Sequence, residues 1–349
     1  MSIKATIDKI VETSKADINE IVEILSCDNT DYLFKKANEI RKKYCGDEIH
    51  LRAIIEFSNY CRCDCLYCGL NRKNSFLSKY RMELDEIVEY AEKAYKNGYK
   101  TVVLQSGEDL WYTRDKISYI IRKIKEIGDI AITLSVGERD YEDYKQWRLD
   151  GADRFLLKHE TADEKLYNYL HPHSSFKNRL KYLKWLKELE YQVGSGFMID
   201  LPGQKLETLA KDILLLKELD VDMAGIGPFV PHPKTELRNS LPGDTNLTLK
   251  VLAITRILLK RVHLPTTTSL EVTNIKDRKN AFYTGANVIM RKVQPYKYRK
   301  LYEIYPNPNL KDIGIKEERI EIENYIKMLG RKISDTRGDA ITKSTSSIC

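Results

Sequence analysis

The chain has 349 residues, 42% hydrophobic and 31% charged, with 58 Lys and Arg against 51 Asp and Glu for a net charge of +7. It can bury a large core, as one big α/β barrel or two ordinary domains. No run of about eighteen apolar residues could span a membrane, and no concentrated basic patch with stacking aromatics offers a nucleic-acid surface. Residues 1–15 mix charges into a helical pattern without an apolar signal core, so the expected location is the cytoplasm, where free thiols survive. The positive excess is spread over Lys-rich helix faces such as 122–125 and 181–188.

In chain order, apolar spacing predicts helices over 3–26 and 30–45, carried by Ile7, Ile10, Ile18, Ile21 and Ile24. A strand follows over 51–57, then a cysteine-rich loop and an amphipathic helix over 83–97 that stops at Gly98. The alternation repeats: strand 101–105 and helix 114–127, strand 130–135 and helix 140–149, strand 154–158 and helices 163–170 and 175–189. It continues with strand 192–198 and helix 205–219, strand 222–226 and helix 247–260, strand 265–269 and helix 277–284, and strand 287–290. Such βα units imply parallel strands, and eight of them imply a complete (β/α)8 TIM-type barrel of about 250 residues. The expected organisation is an N-terminal helical extension over 1–48, the barrel over 49–305, and a C-terminal segment over 306–349. That last segment holds a short helix at 316–330 and, from Ser334, a loose tail rich in Ser, Thr, Gly and Asp.

Chemistry in such barrels sits at the C-terminal ends of the strands. The loop after the first strand falls there and reads Tyr60-Cys61-Arg62-Cys63-Asp64-Cys65-Leu66-Tyr67-Cys68. Cys61, Cys65 and Cys68 form C-x3-C-x2-C, with Tyr67 just before the third cysteine. Three thiolates on a four-iron cluster leave one iron open to chelate a substrate or cofactor. This is the signature of the radical S-adenosylmethionine (SAM) enzymes. A structural zinc site would want four ligands, usually as two separated pairs. A disulfide framework belongs to small secreted chains. Cys63 reads as a loop side chain without a ligand role.

Further polar residues fall on the same rim. Ser106-Gly107-Glu108 follows strand two; it could approach a ligand closely or be an ordinary turn. Glu160 could accept from an ammonium or a ribose hydroxyl, and Arg179 could grip a carboxylate with its fork; the alternative is a salt bridge between them. Lys158 points the same way as Glu160 on a regular strand, and His159 the opposite way, as a structural residue. His171, His173 and His232 lack partners at metal-ligand spacing. The Thr266-Thr267-Thr268 run suits a strand and equally suits an anion site. There is no phosphate-binding G-x4-G-K loop, no H-E-x-x-H and no G-x-S-x-G.

Longer stretches carry a closer likeness: Phe57 to Cys61, Cys65 to Leu70, Tyr80-Arg81-Met82, Val103 to Asp109, and Gly151 to Arg154. So do His159-Glu160-Thr161, Leu201 to Gln204, Gly225 to Phe229 and Gly285 to Met290. Together they resemble the FeFe-hydrogenase maturase HydE family over about 45–330. The resemblance implies one 4Fe-4S cluster on Cys61, Cys65 and Cys68, and SAM held by Tyr67, Ser135, Glu160, Arg179, Met223 and Tyr302. It implies a small organometallic substrate, an iron–dicarbonyl–cyanide–cysteine species, contacted by Arg52, Gln105, Ser106, Lys158, Thr267 and Thr268. It also implies the partner maturases HydG and HydF and an electron donor such as ferredoxin or flavodoxin.

Three departures stand out. Position 158 is Lys where the family leads one to expect Arg, which keeps the charge and loses the planar fork. Cys63 replaces a polar residue. Only Cys349 follows Cys68, so no second cluster is expected. Methylornithine synthase is the alternative on the same barrel. A biotin synthase-like enzyme would need further cysteines, and a non-catalytic cluster carrier would need none of the SAM contacts.

Overall fold

The computed structural model describes residues 2–341. Three helices come first, α1 (Ile3–Thr13), α2 (Ile18–Ser26) and α3 (Asp31–Cys45). The single helix expected over 3–26 is broken: Ser14 turns left-handed (φ 54°), and Asp17 restarts the chain with a reciprocal capping box to Glu20.

The barrel follows. Its strands are β1 (Glu48–Ser58), β2 (Thr101–Ser106), β3 (Ala131–Ser135), β4 (Arg154–Leu156), β5 (Gln192–Ile199), β6 (Met223–Pro228), β7 (Pro265–Thr266) and β8 (Val288–Lys292). They lie in the order β6-β5-β4-β3-β2-β1-β8-β7, parallel throughout. The β6–β7 seam closes through one bridge: Ala224 N–H donates to the His263 carbonyl at 3.0 Å, and His263 N–H to the Asp222 carbonyl at 2.9 Å. The helices between strands are α4 (Leu84–Lys96), α5 (Arg114–Ile127), α6 (Tyr141–Leu149), α7 (Glu164–Leu170), α8 (Phe176–Glu188), α9 (Leu206–Glu218) and α10 (Thr245–Leu258). The outer core lies between these helices and the strands. From Thr248 to Leu258, α10 is buried on every side because the N-terminal helices cover it, with Lys250 Nζ donating to the Leu25 carbonyl at 2.9 Å. No helix among the described residues is long and apolar enough to cross a membrane.

Two expectations change. The strand expected over 265–269 ends at Thr266; Thr267 caps a short helix, α11 (Thr268–Thr273), which α12 (Ile275–Tyr283) continues. After α13 (Tyr296–Arg299) and α14 (Ile315–Met328), β9 (Lys332–Ile333) pairs with the start of β1. The segment from Ser334 to Ala340 is docked across the barrel floor rather than loose. Arg154 donates to Asp339 Oδ1 at 2.6 Å and to the Arg337 carbonyl at 2.9 Å, and Ala340 N–H donates to Gln192 Oε1 at 2.8 Å. Residues 342–349, including Cys349, lie outside the described residues.

Candidate functional site

The cysteine loop is pinned from several sides. Arg62 N–H donates to the Glu108 carbonyl at 3.1 Å, Leu66 N–H to the Leu170 carbonyl at 3.0 Å, and Gly69 N–H to the Ile304 carbonyl at 2.8 Å. Glu108 N–H points at Cys61 Sγ at 3.4 Å. Gly107 is what allows this closeness: a side chain there would strike the Tyr60 carbonyl and the Cys61 Cβ. Two motif residues act as clamps. Glu108 accepts from Arg62 Nε at 3.0 Å and Glu138 N–H at 3.0 Å, while Asp109 accepts a bidentate Arg81 at 2.7 and 2.9 Å together with Ser58 Oγ at 2.7 Å.

Above the barrel interior the loop roofs a cavity of about 370 Å³. Cys61, Cys65, Tyr67, Cys68, Gln105, Ser106, Ser135, Lys158, Glu160, Arg179, Met223, Thr267, Thr268 and Tyr302 all line it, so the structure gathers residues far apart in sequence. Arg52 is the exception among those expected at the ligand. It faces inward but lies below the cavity floor, with NH1 against Met223 Sδ at 2.6 Å and NH2 3.5 Å from the Gly338 carbonyl. The alternation of β1 gave its direction, whereas its depth depends on the stagger of the barrel.

The free polar groups in the cavity are informative. Glu160 adopts a left-handed backbone (φ 63°), which is uncommon outside glycine, and its carboxylate has no protein partner among the described residues. Lys158 Nζ is likewise unpaired among them; it reaches into the cavity past Gly225, where a side chain would crowd its stem. Arg179 does not pair with Glu160. Its Nε donates to Glu138 Oε1 at 2.8 Å and NH1 to the Lys158 carbonyl at 2.5 Å. Burial opposes the Arg179 charge, but the nearby Tyr167 hydroxyl and the Glu138, Glu108 and Glu160 carboxylates outweigh it and push its pKa up. Tyr67 donates its hydroxyl proton to His171 Nε2 at 2.9 Å, because His171 Nδ1–H is committed to the Tyr167 carbonyl at 2.8 Å. Burial, with Arg179 nearby, pulls the His171 pKa down to about 3 and keeps the ring neutral. His159 is structural, buried between Ser195 Oγ at 3.0 Å and Asp212 Oδ1 at 3.2 Å.

Sequence reasoning missed three features. Glu138 anchors Arg179 from another βα loop. A buried Glu56 meets Lys292 Nζ at 3.0 Å and Gln294 Nε2 at 2.6 Å on the cavity wall, and burial raises its pKa. Arg299 and Tyr305, after the last strand, line the cavity as well. Only Glu56 carried a signal, since it shares the inward face of β1 with Arg52.

The thiols suit a cluster. Burial, then the Cys68 and Cys61 charges, drives the Cys65 pKa well up, and burial pushes Cys68 up to about 12. Buried sulfurs whose anionic forms oppose one another call for added positive charge, which iron supplies. Among the described residues no three donors converge on a point for a single ion. The thiols line one end of the cavity instead, as separated cluster corners require.

A family model described as the Radical SAM superfamily matches residues 55–238. The chain is 51% identical over 295 residues to the FeFe hydrogenase maturase subunit HydE of Thermotoga maritima, covering 84% of each. It is 29% identical over 288 residues to the 3-methylornithine synthase of Methanosarcina acetivorans, covering 81% of each. The crystal structure of methylornithine synthase aligns with a TM-score of 0.83 at 24% identity over 97% of this chain and 100% of that one, a likeness of fold.

Proposed function

Because the chain belongs to the radical SAM superfamily, as a hydrogenase maturase of the HydE family, we propose that it cleaves SAM and acts on an iron–dicarbonyl–cyanide–cysteine precursor of the FeFe-hydrogenase cofactor. The observation that carries this reading is the shared cavity: the three motif thiols and the candidate SAM residues line one wall-to-wall space. A 4Fe-4S cluster on Cys61, Cys65 and Cys68 would supply the electron that splits SAM into methionine and a 5'-deoxyadenosyl radical.

This chain's residues would do the rest. Glu160, unpaired, accepts from the SAM ammonium or ribose hydroxyls. Arg179, held by Glu138, turns its remaining donors to the methionine carboxylate. Ser135 adds a hydroxyl, while Tyr67, Met223 and Tyr302 give the adenosine a shelf of aromatic and thioether surface. Gln105, Ser106, Thr267 and Thr268 offer hydrogen bonds to the anionic precursor, and Lys158 offers it a positive charge. The enclosing walls keep water from the radical.

In this reading the precursor comes from HydG, the product goes to HydF, and an acidic carrier such as ferredoxin or flavodoxin delivers electrons. The test is to reconstitute and reduce the protein, measure 5'-deoxyadenosine, and assay hydrogenase in a host lacking its own maturase. Absence of 5'-deoxyadenosine overturns the enzyme reading; its presence without hydrogenase rescue overturns the substrate.

A further inference from the structure

The cysteine loop has a second face. On the side away from the cavity, Asp64, Cys65 and Leu66 form one wall of a separate open pocket of about 310 Å³, completed by the 71–76 and 233–238 loops. Cys65 belongs to both spaces, so a single residue separates the outer surface from the sulfur end of the interior cavity.

The chemistry of this outer face is one-sided. Its exposed cations are Lys73, Lys234 and Arg238, with Arg72 alongside; the Arg72 and Lys73 side chains are 59% and 61% exposed. Of the two acids lining it, Asp64 is buried and already held by Arg72 at 3.0 Å, His173 at 3.1 Å and Lys73 at 4.0 Å, which leaves Glu236 as the exposed one. Phe76 stands 76% exposed on this face, with Lys234 Nζ 4.4 Å from its ring centroid. An exposed aromatic on a face rich in like charge has the form of a protein contact: an apolar anchor with charged neighbours.

We propose that this face is the docking site of an acidic single-electron carrier protein, a refinement that rests on the radical SAM reading above. A carrier with an acidic rim around its redox centre would be steered by the cations and seated on Phe76. Its redox group would then lie across one residue, Cys65, from the cavity. One electron leaves the carrier and enters the bound cluster, and no atom or proton needs to cross with it. The cavity beneath the loop would thus remain free for SAM and substrate while the enzyme is being reduced.

The experiment uses the cluster-loaded enzyme and a reduced bacterial flavodoxin as probe. Binding is read by calorimetry at two ionic strengths, and 5'-deoxyadenosine formation is driven in parallel by flavodoxin or by dithionite. The triple variant K73E/K234E/R238E should bind flavodoxin about tenfold or more weakly. It should lose most of the salt dependence of binding and turn over normally with dithionite. Phe76→Ala, which changes no charge, should weaken binding without altering its salt dependence. Unchanged flavodoxin affinity in the triple variant overturns the docking site. Loss of the dithionite-driven reaction in the wild type would instead overturn the SAM-cleavage reading, and the calorimetric result would still decide the surface.

Discussion

The two ends of the barrel use their polar residues in opposite ways. At the floor the charged network is paired within the protein, with His50 Nδ1 and Arg52 Nε left without a hydrogen-bond partner among the described residues. Arg154 is held by Thr101, Gln192, Arg337 and Asp339, His263 Nε2 meets the Asp339 carbonyl at 3.1 Å, and Arg337 spans to Asp129 and Asp153. At the rim, Glu160 and Lys158 face a cavity without partners among the described residues, and the motif thiols oppose one another. Pairing that stops at the protein's own atoms stabilises a fold. Unpaired groups aimed into a cavity mark a place that a ligand completes. Conserved barrel architecture assigns the same division, with stability below and chemistry above.

The largest effect expected from breaking this contrast is at the rim. Cys61→Ala, Cys65→Ala or Cys68→Ala should each abolish 5'-deoxyadenosine formation while leaving the unfolding midpoint of the metal-free protein within a few degrees of wild type. Any single variant that still makes 5'-deoxyadenosine removes that cysteine from the ligand set.

The floor should answer to acid instead. Burial, followed by the Arg52 charge, pulls the His50 pKa from 6.5 down to about 4, and His263 is pulled well below its ordinary value for the same first reason. Between those values the unfolded chain binds protons that the folded chain refuses. Stability is therefore full above pH of about 6.5 and falls as the pH drops toward 4, by up to about 3 kcal/mol for His50 alone. Urea midpoints of the metal-free protein across that range check it, and His50→Gln should flatten the curve. A wild-type midpoint flat from pH 7 to about 4.5 would show that the floor is not what titrates.

Glu160→Ala tests the rim more gently. A charged hydrogen bond to a ligand is worth about 1.5–3 kcal/mol, so SAM should bind at least about tenfold more weakly. With no protein partner to lose, the variant should keep its thermal stability. An unchanged SAM affinity would make Glu160 a residue of the rim and nothing more.

How far each end was legible follows from the range of its interactions. The βα rhythm rests on local periodicity and helix stops, and the strands fell where alternation put them. The cysteine motif is local as well. The threonine run misled because β-branched residues favour a strand, whereas Thr267 takes the N-cap position of α11 without a side-chain capping bond. The break between α1 and α2 did carry a signal, the Asp17 and Glu20 capping-box pair. The floor carried none: Arg337 and Asp339 sit in a segment whose composition reads as loose, and their partners lie far away in sequence. Glu138 behind Arg179 is long-range in the same way. Arg52 was read in the right direction and at the wrong height, so a residue expected at the ligand belongs to the floor.

Cys63 sits between the two behaviours, and its removal should have the smallest effect. It is buried at the rim and lines the cavity beside Cys61. The closeness of the two sulfurs lowers the Cys61 pKa and raises that of Cys63, with burial adding to the rise. Cys63 is thus a buried sulfur engaged with its neighbour, a group of the floor's type standing among ligands. Cys63→Ala should therefore leave the iron content of the reconstituted protein at the wild-type value and cost about 1 kcal/mol of stability through the lost contact. A Cys63→Ser variant, which keeps a donor, should recover most of it. A fall in iron of about a quarter, the share of one corner in a four-iron cluster, would place Cys63 with the ligands and move it to the other side of the contrast.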